Sequence, residues 1–474
     1  MLNRILQFHL EHRWLVLIGL AGIVVAGVWA MLHIPIDAFP DLTNNQVTVV
    51  TEARGLAATE VEQRISYPIE TALMGVPGAE QVRSISKSGL SLVTVVFDDA
   101  VPVYFARQLV NERVLEVRGR LPQGLSPTLG PVATAFGEIY QYLVESDSAD
   151  IMERKTLHDW ELRTQLRSVR GVGEINAWGG QTRQYHVVVD PAKLEQFGVS
   201  LREVFDAVAA NNTSFSGGFI EHRSERYTVR GTGLVANEDD IRQIVITEVG
   251  GVPVLVGDVA EVQQGPMPRQ GAVTHDGQGE SIAGMVIMLK GENGRDVGAR
   301  VKQRIAEVTP TLPSGVRIVP FYDQTEVIER TASTVRRNLL EGSGLVILVL
   351  VLFLGDLRAA LLAAAVIPLS MLAGFIGMRI FGVSANLMSL GAIDFGLIVD
   401  GAVVMMENFI RRRGEERLDA HATPEAKLGL FTSAATEVAR PVLFGVLIIV
   451  AVYLPIFTLE GLEGKMFRPM AITV

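Results

Sequence analysis

The stretch NLMSLGAIDFGLIVDGAVVMMENFIRRR, residues 386–413, decides how the rest of the chain is read. It is apolar enough to lie in a membrane, yet it carries Asp394, Asp400 and Glu407 and ends in Arg411, Arg412 and Arg413. At about 100° and about 1.5 Å per residue, the step from Asp400 to Glu407 returns to nearly the same helix face about 10 Å further along. Those two acids share a stripe. The step from Asp394 to Asp400 is turned by roughly 120°, which points Asp394 at a different neighbour. A carboxylate at bilayer depth costs at least ~2.5 kcal/mol, so three on one helix need a reason. The usual one is ion traffic, because buried acids have raised pKa values and exchange protons near neutral pH. The alternative, a soluble core helix with salt-bridged acids, fits poorly with the other apolar segments.

Composition separates the chain into two populations. Its 474 residues are 48% hydrophobic and 20% charged, with positive mean hydropathy, which is high for a soluble protein. The formal net charge of -10 argues against a nucleic-acid binder and is compatible with attracting cations. With no cysteine, neither a disulfide framework nor a thiolate metal site exists. Any metal would meet carboxylate, imidazole, thioether or backbone oxygen.

Residues 14–32 form an uncharged, mostly apolar run after Arg4 and Arg13, long enough to span a bilayer by the ~20-residue criterion. Without a convincing small-residue cleavage site after it, it reads as an uncleaved anchor. Apolar runs return at 342–355, 359–378, 386–410 and 441–459. Asp356, Leu357 and Arg358 alone separate the first two of these, which predicts a tight helical hairpin. Arg4 and Arg13 before the first span and Arg411 to Arg413 after the fourth orient the chain by the positive-inside rule. Residues 33–335 are then extracytoplasmic, 417–440 a cytoplasmic amphipathic connector and 461–469 an outer turn. A sixth span is expected to begin at Ala471, which reads the chain as an amino-terminal fragment of something longer.

The extracytoplasmic region alternates strand and helix patterns. QVTVVT (46–51), a helical stretch at 57–74 interrupted by Pro68, strands at 81–86 and 91–97, and a helix at 103–120 give the order β-α-β-β-α of a ferredoxin-like sandwich. A second such unit starts at 138–144, with a charged helix at 149–170 and a strand at 173–177. It resumes with a strand at 281–289, a helix at 297–309 and a strand at 316–320. Between its halves lies an insertion with a helix at 201–210, a Gly- and polar-rich stretch at 211–218 and a hairpin arm at 219–233. The fold class is therefore a multi-span α-helical membrane protein with a large α+β region. Its expected divisions are 1–32, 33–134, 135–180 with 272–335, the insertion 181–271, and the membrane helices of 336–474.

This arrangement, with Asp394-Phe395-Gly396, Asp400-Gly401-Ala402 and Glu407-Asn408 on the fourth span, resembles the heavy-metal efflux branch of the resistance-nodulation-division transporters. The resemblance covers the whole chain as the amino-terminal half of such a pump. It implies a proton-driven, non-enzymatic transporter, homotrimeric in the bacterial inner membrane among membrane lipids, coupled to a periplasmic adaptor and an outer-membrane channel. It makes Asp400 the central proton carrier, with Asp394 and Glu407 as relay partners. The first-motif Asp394 resembles exporters of divalent cations (zinc, cobalt, cadmium, nickel) more than those of copper(I) and silver, and Ile398 and Val399 stand where the monovalent branch has a Met. Divalent cations and protons are thus cargo, and no permanently bound cofactor is expected.

The resemblance makes Asn211, Asn212, Gly217 and Gly218 part of an exposed loop by which one protomer reaches into its neighbour; an ordinary flexible loop is the alternative. Glu138, at the start of the second unit, is a candidate metal or gate contact, or else an exposed strand-end carboxylate. Met285 and Met288 read as core filler, Met405 and Met406 as helix packing, and His9 and His12 as a solvated juxtamembrane face. Competing readings are a pump for organic compounds, which in this superfamily pairs two adjacent Asp on the fourth span, an inactive or regulatory fragment, and a protein-translocation accessory. The DNA after codon 474 separates pump from fragment: a continuing frame supports the former.

Overall fold

The computed structural model describes residues 8–9, 11–35, 41–269, 271–386, 388–389, 395–415 and 424–474. Helix α1 (Arg13–His33) leads to a first αβ unit built from β1 (Asn45–Glu52), α2 (residues 58–73), β2 (Ala79–Lys87), β3 (Leu90–Phe97), α3 (Val103–Val117) and β4 (Thr128–Leu129). The β-branched alternation of β1 turns Val47 and Val49 inward, and the sheet order is β2-β3-β1-β4. Val61, Ile65, Ile69 and Leu73 of α2, with Ala106, Val110 and Val114 of α3, are four residues apart and pack on Val47, Val49, Val93 and Val95. Each such buried aliphatic side chain contributes about 1.5–3 kcal/mol, more than helix propensity could supply. Pro68 does not interrupt α2 as the sequence suggests. A π-helical turn at Glu62–Ser66 precedes it and gives the ring room against the preceding turn.

The second unit repeats that order with other strands. It comprises β5 (Ala133–Ser146), α4 (residues 151–167) and β6 (Val172–Gly179) before a long insertion, and later strands and a helix after it. The insertion holds β7 (Arg183–Val189), α5 (Pro191–Phe197), α6 (Leu201–Asn211), β8 (Phe215–His222), β9 (Glu225–Gly231), α7 (Glu238–Arg242), β10 (Val245–Val249), β11 (Val252–Leu255), α8 (Val256–Val259) and β12 (Ala260–Pro266). Strands β7 and β12 pair as its two-stranded stem, and Val204, Ile241, Val254, Val256, Val259 and Val262 form its own core. The chain then returns through β13 (Val273–Thr274), β14 (Glu280–Leu289), α9 (Gly294–Val308) and β15 (Val316–Asp323). Strand β14 lies between β5 and β6, and β15 flanks β5, so the order β6-β14-β5-β15 matches the first unit strand for strand.

The β8–β9 hairpin is exposed along both strands except at Gly231. Its arms differ from the expected ones. Asn211 ends α6, Asn212 caps it, and Gly217 and Gly218 lie inside β8 rather than in a loop, while the turn falls at Arg223, whose φ is 56°. Glycine and serine mask the strand pattern of Phe215–Gly218, so the sequence places that arm too late.

Asp323 ends β15 and caps α10 (Gln324–Leu354), accepting from the Thr325 amide at 2.8 Å. At about 1.5 Å per residue α10 is about 46 Å long, more than the ~30 Å hydrocarbon layer, so its first turns stand outside any bilayer and continue the second unit. Gly355, in the left-handed region, ends it, and Asp356 caps α11 (Leu357–Ala364), so Gly355 and Asp356 alone join the two helices and Leu357 and Arg358, expected between them, are helical. A break at Ala365 separates α11 from α12 (Val366–Ile380), where Pro368 cannot donate to the Ala364 carbonyl. Helices α13 (Phe395–Glu415), α14 (Pro424–Tyr453) and α15 (Gly461–Thr473) complete the chain.

Among the described residues, four helical stretches are long and apolar enough to cross a membrane: Arg13–His33, Gln324–Leu354, Leu357–Ile380 and Leu428–Thr458. The acidic helix is not one of these. Its described part carries Asp400, Glu407, three arginines and Glu415, and residues 390–394, apolar except for Asp394, lie outside the described residues. Two further expectations are corrected. Residues 424–440, expected as a connector, are continuous with the apolar part of α14, and residues 461–469, expected as a turn, belong to α15.

Candidate functional site

Helix α13 presents three faces. Val399, Ala402, Val403 and Met406 lie along one of them and pack against Leu350 of α10, Ala360, Ala363 and Ala364 of α11, and Ile367 of α12. The three alanines let the helices approach closely. A second face meets α14: a Cβ on Gly401 would lie 3.0 Å from Val442 Cγ1, so glycine there sets the approach of the two helices. Asp400 and Glu407 occupy the third, about 20° apart in projection and roughly at right angles to both packed faces. Both are exposed, and among the described residues neither makes an ion pair. Asp394, the third acid of the motif, lies outside the described residues.

The basic end of α13 is clasped to α14. Asn408 is 6% exposed; its amide donates to the Ala434 carbonyl at 2.8 Å and to the Glu437 carboxylate at 3.2 Å. Arg411 donates to Asn408 Oδ1 at 2.7 Å and to Glu437 at 3.0 Å, and Arg412 reaches Glu437 at 3.0 Å. Phe409 stacks on Phe431 with centroids 3.8 Å apart. Arg411 and Arg412 therefore serve Glu437, Arg411 reaching Glu415 as well, and not Glu407. Sequence reasoning missed this clasp, although Asn408 stands directly after Glu407 in the motif.

Glu138 lies exposed on β5 opposite Ile287 and accepts from Gln141 Nε2 at 3.1 Å. The Tyr322 phenol lies within electrostatic reach of both Glu138 and Asp323, and that of Tyr140 within reach of Asp323. Burial, then the Asp323 charge, pushes the Tyr140 phenol up to about 12, and burial, then Glu138 and Asp323, raises Tyr322. Among the described residues no three His, Asp or Glu side chains come together as a metal cage. Met288 is core, and it also lines a cavity of about 250 Å³ between the second unit and α12; Met285 is half-buried. His12 donates to the Phe8 carbonyl and stacks on the Phe8 ring.

One buried polar chain was not anticipated. Tyr142 and His158 are both fully buried, with Tyr142 Oη 3.1 Å from His158 Nε2, and His158 Nδ1 3.0 Å from Asp159, which Lys155 also reaches at 3.0 Å. Burial pushes the Tyr142 phenol up, so it remains a donor to Nε2 and His158 donates from Nδ1 to the carboxylate. The chain locks α4 to β5 inside the second unit.

Residues 5–474 match the family model described as the AcrB/AcrD/AcrF family. The chain is 47% identical over its whole length to the cation efflux system protein CzcA of Alcaligenes sp. strain CT14, and equally to the cobalt-zinc-cadmium resistance protein CzcA of Cupriavidus metallidurans, covering 46% of each. It is 39% identical to the cation efflux system protein CusA of Escherichia coli K12, again covering 46% of it. The crystal structure of a heavy metal efflux pump superposes with a TM-score of 0.88 at 39% identity, over 99% of this chain and 46% of that one. The chain thus spans about half the length of the relatives it matches, and it belongs to the AcrB/AcrD/AcrF family, on the heavy-metal efflux branch of the resistance-nodulation-division transporters.

Proposed function

We propose that this chain forms the amino-terminal half of an inner-membrane pump that exports divalent metal cations at the expense of a proton gradient. The observation that carries the proposal is the third face of α13, where Asp400 and Glu407 stand on one stripe, free of the packing that occupies the other two faces. In a bilayer that face needs a partner, and its acids are placed to take up and release protons against it. A relative named for nickel, cobalt and cadmium resistance, 40% identical over the whole chain, supports divalent cargo alongside the cobalt-zinc-cadmium relative.

The energetics are adequate. One proton crossing 100 mV gains ~2.3 kcal/mol, and one pH unit adds ~1.4 kcal/mol. Export of a cation captured outside the membrane against a thousandfold gradient costs ~4 kcal/mol, so one or two protons suffice. In the full-length protein Asp400→Asn is expected to abolish resistance across a panel of zinc, cobalt, cadmium, nickel and copper without loss of expression. Resistance at the unsubstituted level would sink the proton-carrier role.

In this reading the two αβ units are periplasmic porter subdomains, a periplasmic adaptor and an outer-membrane channel complete the path, and the insertion docks one protomer of a trimer on the next. Phe215, Phe219, Ile220 and Tyr227 are all at least half exposed on the β8–β9 hairpin, an apolar surface that a neighbouring copy would bury. Replacing Phe219 and Ile220 with Asp should dissociate the trimer in native mass spectrometry; an intact trimer would remove the hairpin from the interface.

A further inference from the structure

The two αβ units are joined to the membrane helices in different ways. The second passes from β15 into α10 without a loop, since Asp323 is both the last residue of the strand and the cap of the helix, and Lys302 holds that carboxylate at 2.9 Å. The first unit shows no such continuity among the described residues, since 34–35 and 41–44, between α1 and β1, are not helical. What joins it a second time comes from the far end of the chain. Lys465 of α15 places Nζ 2.8 Å from Asp99 and donates to the Thr43 carbonyl at 3.1 Å.

Both ends of this contact are rigidly built. Asp99 sits in the loop between β3 and α3, where the Ala100 amide donates to Asp98 at 2.7 Å and the Asp98 amide to the Gly78 carbonyl at 3.0 Å. Buried Asn45, two residues after Thr43, donates to the Val101 carbonyl of the same loop. Lys465 therefore touches the entry to β1 and the β3–α3 loop at one corner of the unit. On the other side, Arg468 donates to the Leu459 carbonyl at 2.7 Å and folds the start of α15 back, and a Cβ at Gly464 would lie 2.5 Å from that oxygen. Ile472 packs on the cluster of Ala30, Ile34, Phe375, Met378 and Val383 contributed by α1, α12 and the segments next to them. The Lys465 side chain is 19% exposed and that of Asp99 58%, so the lysine is the enclosed partner of the pair.

We propose that Lys465 is a positioning residue for transport, tying the first αβ unit to the membrane helices through Asp99 and Thr43 so that movement of the helices reaches that unit. This rests on the pump reading above. Without the tie the first unit meets the membrane helices directly only through the α1 connection and otherwise only through β5 of the second unit, and helix movement at α15 no longer sets its position. Proton entry then proceeds with little cation export.

The test uses the full-length pump in proteoliposomes under an imposed proton gradient, with proton flux and zinc flux measured together. K465M and D99N are each expected to lower zinc export at least fivefold while raising the protons moved per zinc ion, a ratio that simple loss of folded protein leaves unchanged. K465R should keep the wild-type ratio, and the exchange D99K/K465D should recover at least half of the export. Amide hydrogen exchange at residues 43–45 and 98–101 should rise in K465M and not in K465R. Wild-type ratios in both single variants, a charge exchange no better than the singles, or unchanged amide exchange would each overturn the proposal. Failure of the unsubstituted protein to export zinc would instead defeat the pump reading, which keeps the two outcomes apart.

Discussion

The amide of Asn408 donates to the Glu437 carboxylate across the gap between α13 and α14, and the same nitrogen satisfies the Ala434 carbonyl. This contact fixes the axial register of the acid-bearing helix. Gly401, two turns earlier, sets how closely the helices approach, and Asn408 sets where along their length they meet. Removing the amide takes from Glu437 one charge-assisted donor, leaving Arg411 and Arg412 as its partners, and leaves the Ala434 carbonyl only its bond within the helix. Asn408→Ala should therefore destabilise the full-length protein by about 1–3 kcal/mol. The loss is measured as a lowered midpoint in thermal unfolding in detergent; an unchanged midpoint would mean the clasp contributes nothing.

Local pattern was legible in the sequence wherever one period decided the structure. The i, i+7 spacing of Asp400 and Glu407 is helix geometry, and QVTVVT and SLVTVVF fall on β1 and β3 because β-branched alternation suits a sheet with one buried face. Contacts between distant residues were not legible. Asn408 and Glu437 are 29 residues apart, and Lys465 and Thr43 are 422 apart, so no window of sequence contains either pair. Pro68 misled because proline marks helix ends in most contexts, and a π-turn that absorbs it leaves no signature in the residues themselves. The route through Asp394 rests on the motif alone, since that residue lies outside the described ones.

Gly284 makes room for the buried tyrosine of the second unit. A Cβ there would lie 2.2 Å from Tyr142 Cζ and 2.5 Å from its hydroxyl, and the ring is held on its other side by His158. Gly284→Ala must move a fully buried aromatic ring, at a cost of about 1–3 kcal/mol or more. Tyr142→Phe keeps the ring but leaves the buried His158 Nε2 without its donor, at the lower end of about 1–3 kcal/mol. Chemical unfolding should rank the alanine variant as the more damaged. The reverse order would show that the hydrogen bond, and not the space beside Gly284, holds the ring.

The carboxylate at the end of that chain makes stability depend on acidity, and the sign follows from its environment. Burial raises the Asp159 carboxyl, but hydrogen bonds from His158 and Lys155 outweigh it and hold the group below the ordinary carboxylate range. A carboxyl depressed in the folded state adds stability above its unfolded value, and that contribution is lost as pH falls through the folded value. Asp323 acts in the same sense: burial raises it, and Lys302 and Thr325 bring it below its usual range, at the joint between β15 and α10. Asp159→Asn should therefore cost about 1–2 kcal/mol near neutral pH, the excess of charged over neutral hydrogen bonds. Its deficit should shrink as pH drops below about 4, where the unsubstituted carboxyl also begins to protonate. Thermal midpoints of both proteins from pH 7 to pH 3 measure this directly. Curves that stay parallel throughout would mean that the Asp159 charge has no part in holding α4 to the sheet, and that packing around His158 carries the joint alone.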